Sequence, residues 1–335
     1  MPSTIARPGR SPQARRHITD RDIAVLRSLF DARILTVAHL AEIHFAGSNE
    51  AARKRMMKLK ADGWVTERPR ERVFDPSILH LTRKGFSHLK QHGHLDDFPA
   101  LGWETMEKRV QVSPLTLRHE LSVGDVQAAF YRSARAETRL RIAEFRTWPR
   151  LFSFTTTRTF PGGYTKPVTI RPDGFIKICR DEGAFGETEF YFYLEVDRST
   201  ETVGNIVRRL QGYANHYRTG GFAVAHGGTV DRPDLYPFRV LLICRTEARC
   251  RSIANAATET RPAIRNSAWF TTLDTVTASG AHQRVWRTAS DFGVEESFPR
   301  PLVGDVAPDP LLHPVPDTAV PVDAPIDPSL PATAE

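Results

Sequence analysis

The chain has 335 residues, 40% of them apolar, and a net formal charge of +7, enough to build two modest cores. No apolar run approaches the ~18–20 residues of a membrane span, and the N-terminus lacks the apolar core of a signal peptide. Three cysteines (Cys179, Cys244, Cys250) without metal or redox spacing argue against zinc and fit a reducing cytoplasm.

The charge is unevenly spread. From Pro299 onward one basic residue, Arg300, stands against Asp305, Asp309, Asp317, Asp323, Asp327 and Glu335, so the body is more basic than the total suggests. A basic body suits a polyanionic partner, double-stranded DNA above all, although basicity also serves solubility. Residues 1–16 hold Arg7, Arg10, Arg15 and Arg16 among Pro, Gly and Ser, the composition of a disordered basic arm.

From 17 to 92 the pattern is helix, helix, helix, strand, strand, helix. Thr19 caps a first helix with Asp20 and Asp22 in its first turn and Ile23, Leu26, Leu29 and Phe30 as its apolar stripe. Thr36 opens a second, with Val37, Leu40, Ala41 and Ile43 inward. Ser48 or Asn49 caps a third, Glu50 to Asp62, stopped by Gly63. Trp64-Val65 and Leu79-His80-Leu81 are strands flanking a basic loop, and Thr82 caps a closing helix through Phe86 and Leu89. This order predicts a winged helix-turn-helix. Met56 and Leu59 face inward in the third helix, leaving Asn49, Arg53, Lys54 and Lys58 for a major groove and Arg68, Arg70 and Arg72 for the backbone. The alternative is a solvated charged face on a module that binds protein.

Residues 93–114 are weakly patterned and are expected to link the two domains. A helix from Leu115 to about Ala136 then starts a second domain, 115–298. Leu117, Leu121, Val123, Val126, Ala128, Phe130 and Tyr131 share one arc, with Glu120 near its middle and His119 at its border. An acid on a core face needs a partner.

After a strand over 140–148, Val168–Ile178 and Glu189–Asp197 read as an antiparallel hairpin around Gly183 and Gly186. A turn near Ala184 sets Asp173 opposite Glu195 and Arg171 opposite Asp197. Glu195 and Asp197, being alternate residues, share a face. Carboxylates ~5 Å apart repel, and Mg²⁺ would compensate them. The plainer alternative is a half-solvated face neutralised by Arg171, Lys177 and Arg198. A helix over about 200–218 follows, with Val203, Ile206, Val207, Leu210, Ala214 and Tyr217 inward and Arg208, Gln211, Asn215 and His216 free for a cleft. Then come a strand, Phe238–Cys244, a helix, Glu247–Thr258, and a strand, Trp269–Leu273, for a core of α-β-β-β-α-β. The tail, 299–335, has no period and is expected to be disordered. Gly220-Gly221 and Gly227-Gly228 fit no phosphate-binding loop.

Pro172-Asp173 with Glu195-Val196-Asp197 resembles the Pro-Asp … Glu-x-Lys signature of restriction-endonuclease-like nucleases, with Asp197 where that signature has lysine. Together with the winged helix, His119-Glu120, Arg198 and Tyr217, the chain resembles the replication-relaxation family of plasmids and other mobile elements. The resemblance runs from about Ile18 to Tyr217. It implies a DNA-binding protein supporting plasmid replication or relaxation, with a restriction-endonuclease-like (PD-(D/E)XK) α/β second domain and replication or relaxation proteins as partners. If that domain is catalytic, Asp173 and Glu195 hold Mg²⁺ or Mn²⁺, with Glu120 ligating directly or through water. Asp197 then occupies the lysine's place, His119 lies nearby, and Arg198, Arg208 or Gln211 stands as a displaced base. The alternative is a non-catalytic regulator whose second domain serves dimerisation or protein docking.

Overall fold

The computed structural model describes residues 18–304, apart from 71, 149–151, 160–161, 261–266 and 295–296. The basic arm and everything beyond 304 lie outside the described residues. Among the described residues, no helix is long and apolar enough to cross a membrane.

Capping chemistry sets the first helices. Thr19 and Asp22 form a reciprocal capping box at the start of α1 (Asp20–Ala32). After the short β1 (Leu35–Thr36), Thr36 caps α2 (Val37–His44), and Ser48 caps α3 (Asn49–Ala61). Gly63, at φ +75°, turns the chain out of α3 into β2 (Val65–Glu67). β3 (Ile78–Leu81) and α4 (Arg83–Gln91) complete the unit, and the strands lie in the order β1-β3-β2. The core residues are those the periodicity selects: Leu26, Leu29 and Phe30 from α1, Leu40 from α2, Met56 and Leu59 from α3, Leu89 from α4.

The stretch expected as a linker is structured. It holds α5 (Trp103–Val110), which buries Met106 in this same core. Arg109 donates to the carbonyls of Phe30 (2.7 Å) and Asp31 (2.9 Å), filling acceptors that α1 leaves open at its C-terminus. The Arg109 guanidinium also lies 3.7 Å above the Trp148 ring.

The second half is mixed α/β. Its elements in order are α6 (Pro114–Ala134), β4 (Leu140–Arg146), β5 (Phe154–Thr159), β6 (Thr165–Ile170), β7 (Gly174–Asp181), β8 (Glu187–Asp197), α7 (Val203–Arg218) and α8 (Gly221–Ala225). β9 (Phe238–Cys244), α9 (Glu247–Thr258), β10 (Ala268–Thr272), α10 (Leu273–Ser279) and β11 (Arg287–Thr288) follow. Six strands form one sheet in the order β11-β10-β9-β8-β7-β4, parallel at β8–β9 and β9–β10 and antiparallel elsewhere. α7 and α9 pack on one face and α6 and α10 on the other.

Three further expectations need correcting. Val168–Ile178 is not one strand: Pro172, which has no N–H to give a ladder, separates β6 from β7. β6 pairs with β5 in a hairpin of its own, laid on α7. Residues 299–304 are held rather than loose: Trp286 and Arg300 exchange backbone hydrogen bonds, and Leu302 is fully buried. α10 and β11 follow the strand that was expected to be last.

The halves interlock through α6. Its outer side meets α2, where Gly124 lies so close to the His39 ring that a Cβ would sit 2.5 Å from it. His39, buried, reaches Asp125 at 2.9 Å, and Arg135 binds Glu42. Trp148, just past β4, is buried among Phe30 and Phe98 of the first core.

Candidate functional site

On the first unit, α3 exposes Asn49, Arg53, Lys54 and Lys58, the residues expected to face DNA, while Ala52, Met56 and Leu59 are buried. Lys54 pairs with Glu50 one turn earlier. What orients this helix was not foreseen. Arg55 forks onto the fully buried Asp22, with Nε 2.5 Å from Oδ1, and so ties α3 to the first turn of α1. A groove of about 520 Å³ beside this pair is lined by Arg21, Lys54, Arg55 and Lys58. The loop arginines divide: Arg68 turns back to the Val112 carbonyl, Arg70 is held by Glu67, and Arg72 is exposed at the loop tip.

In the second half a cleft of about 360 Å³ opens where β7, β8, α6 and α7 meet, and it gathers His119, Asp173, Glu195 and Asp197. The hairpin register is the one expected, with Gly174 opposite Leu194. Asp173 ends the ladder: its N–H binds the Leu194 carbonyl, and its Oδ2 accepts from the Val196 N–H at 2.8 Å. Asp173 Oδ1 lies 2.9 Å from His119 Nε2. Burial alone would lower the His119 pKa, but the Asp173 hydrogen bond and charge, with Glu120 and Glu195, leave it raised.

Glu195 is 2% exposed. Tyr213 donates its hydroxyl to Oε1 at 2.5 Å, and Arg209 reaches Oε2 at 2.6 Å while forking onto Glu201 with its other nitrogen. Burial raises the Glu195 carboxyl, Arg209 pulls it down and Asp173 pushes it up again; the net is upward, to about 7. Asp197 shares this face, as expected of an alternate residue, but its partner is not Arg171. Arg249 of α9 binds Oδ2 at 2.6 Å and the Ser199 N–H binds Oδ1 at 2.9 Å, while Arg171 is exposed at the cleft.

Residues 26–231 match the family model described as Replication-relaxation, a span that holds both the α3 face and the cleft. The chain belongs to the replication-relaxation family. Membership points to a role in plasmid or mobile-element replication. No curated protein matches the chain significantly.

In this replication-relaxation protein the acids of the cleft are met by donors of the protein itself. Each oxygen of Asp173, Glu195 and Asp197 already has a donor or cationic neighbour. Glu120, half-buried with its carboxyl raised chiefly by burial, turns to Arg33 (Nε 3.4 Å) and does not line the cleft. The acid on the core face of α6 thus has its partner, an arginine of the first unit. Arg33 itself takes φ +60° just past α1, a costly conformation for a side-chain-bearing residue. Among the described residues no group of three or more His, Cys, Asp or Glu is placed to hold an ion.

The other expected residues lie apart or have structural partners. Arg198 donates to Ser122 Oγ at 2.6 Å and to the Arg118 carbonyl. Arg208 binds Asn205 at the surface, Gln211 does not line the cleft, and Tyr217 is buried against Phe238. Arg209 and Tyr213, the residues that hold Glu195, were missed. Their i, i+4 spacing on α7 is the signal that would have found them.

Proposed function

We propose that this replication-relaxation protein binds double-stranded DNA through a winged helix made of α1–α4 and β1–β3, with α3 in the major groove. The observation that carries the reading is the exposed basic face of α3, whose helix is tied to α1 by Arg55 forking onto the buried Asp22.

The second half, in this reading, is a restriction-endonuclease-like fold used without catalysis. Its support is the order α6-β4-β7-β8-α7-β9 with Asp173 and Glu195 side by side, and the donor held by each acid. Arg209, Arg249 and His119 supply the positive charge that a cation would bring. The domain then serves as a docking platform for the replication machinery or a second copy of the chain. A metal-dependent nickase is the competing reading, favoured by the Asp173–Glu195 adjacency within a cleft.

Plasmid binding and nicking by the full chain, with Mg²⁺ and with Mn²⁺, test both. We expect binding that weakens in Arg53→Ala and no nicking in either metal. Nicking that disappears in Glu195→Ala would establish the enzyme instead, and equal binding by the parent and an Arg53→Ala/Lys58→Ala variant would overturn the α3 assignment.

A further inference from the structure

The tip of the β2–β3 loop is chemically out of place. The chain reverses over residues 72–75, closed by the Asp75 N–H on the Arg72 carbonyl (3.1 Å) and by Asp75 Oδ2 accepting from the Arg72 N–H (2.7 Å). Glycine, asparagine, aspartate, serine and proline are the usual residues at the centre of such a turn. Here they are Val73 and Phe74, 82% and 97% exposed. The turn is stiffened from outside as well, since Pro69 and Pro76 fix the backbone on its two flanks. An ordered reversal that holds an aromatic ring in water beside a second apolar side chain offers a rigid contact point.

The charges nearby select that occupant. Arg72 adjoins the apolar pair with its side chain exposed, and β2 carries the chain into the loop from α3, whose Arg53, Lys54 and Lys58 are exposed. An apolar tip beside an exposed arginine matches a polyanion with stacked flat rings inside. We propose that Phe74, with Val73 beside it, is a wedge that enters a base step of duplex DNA while Arg72 holds the adjoining phosphate. This rests on the DNA-binding reading above and adds to it a deformation: partial unstacking and kinking of the duplex at the loop.

A wedge changes the winding of the DNA it enters, so plasmid topology reports it without knowledge of the target sequence. A nicked plasmid is sealed by ligase in the presence of the full chain, and the topoisomers are resolved after protein removal. The parent chain is expected to shift the distribution in proportion to bound protein. Phe74→Ala, at an exposed site where folding is not at issue, is expected to bind about tenfold more weakly and, at matched occupancy, to leave the distribution unmoved. Phe74→Trp is expected to keep the shift. A parent that binds the plasmid without changing its topology, or a Phe74→Ala shift equal to the parent's, overturns the wedge and leaves DNA binding standing. A parent that does not bind plasmid at all removes the DNA reading and the wedge together. Sedimentation of the protein alone supplies the remaining outcome: a dimer that Phe74→Ala converts to monomer would assign the tip to self-association and overturn the proposal.

Discussion

Replacing Arg209 with alanine tests whether the cleft is internally neutralised. Glu195, 2% exposed, would keep the Tyr213 hydroxyl and lose the Arg209 guanidinium. Breaking one partner from a buried ion pair costs about 3–5 kcal/mol. Arg209 is 30% exposed on its side chain, so water can reach part of the vacated space, and its exposed contact with Glu201 adds little. The low end applies, about 3 kcal/mol, or a fall in Tm of about 4–5 °C for a chain of this size. The sign of the pH dependence follows from Glu195. Its folded pKa is raised to about 7, so it already costs stability as pH rises from its ordinary value toward 7. Without Arg209 that pKa climbs further, so the penalty grows as pH rises above 7 and shrinks toward pH 5–6 as Glu195 takes a proton. Urea denaturation of parent and variant across this range measures it, with Glu195→Gln closing a double-mutant cycle. A penalty below about 1 kcal/mol that does not vary with pH would show a solvent-screened pair and refute the reasoning. A rise in the parent's Tm on adding millimolar Mg²⁺, lost in Glu195→Gln, would refute it from the other side.

Other consequences are equally direct. Arg53→Ala and Lys58→Ala should each weaken DNA binding and lower the slope of log affinity against log salt by about one, measured by fluorescence anisotropy. His119, raised by Asp173, contributes stability that is complete below its ordinary value and lost as pH rises through its folded value. Its ring proton shift should accordingly titrate above the ordinary histidine range in the parent and lower in Asp173→Asn. Gly124→Ala should destabilise the chain by about 1–3 kcal/mol in a denaturant melt, because the new Cβ would overlap the buried His39 ring at the α2–α6 contact.

Local chemistry made much of this molecule legible. Thr19, Thr36, Ser48 and Thr82 cap the helices they were expected to cap, and Gly183 and Gly186 fixed a register that puts Asp173 beside Glu195. Pro172 was also in view, yet a continuous β-branched run on both sides of it disguised the change of sheet. α5 was illegible for a different reason: Gly102 offers no side-chain cap, and only Met106 is buried. The cleft shows where local reading ends. Arg208 is the arginine expected at the cleft and Arg209 the one that reaches it, and one residue of helix is about 100° of azimuth, the difference between solvent and Glu195. Arg249 lies 52 residues beyond Asp197, so the partner of Asp197 emerges only when α9 folds back over the sheet. Glu120 was identified correctly as an acid in need of company, but the company comes from Arg33 in the other half.

That shared helix limits how the protein can be divided. α6 is pressed between α2 and the sheet, and Trp148 from beyond β4 completes the core around Phe30. A cut within 93–114, where the residue pattern invites one, would strip the cover from the Gly124 side of α6 and remove an indole from the amino-terminal half. Neither fragment would inherit a finished surface, so deletion mapping at that boundary would report collapse of the pieces rather than the separate duties of two modules.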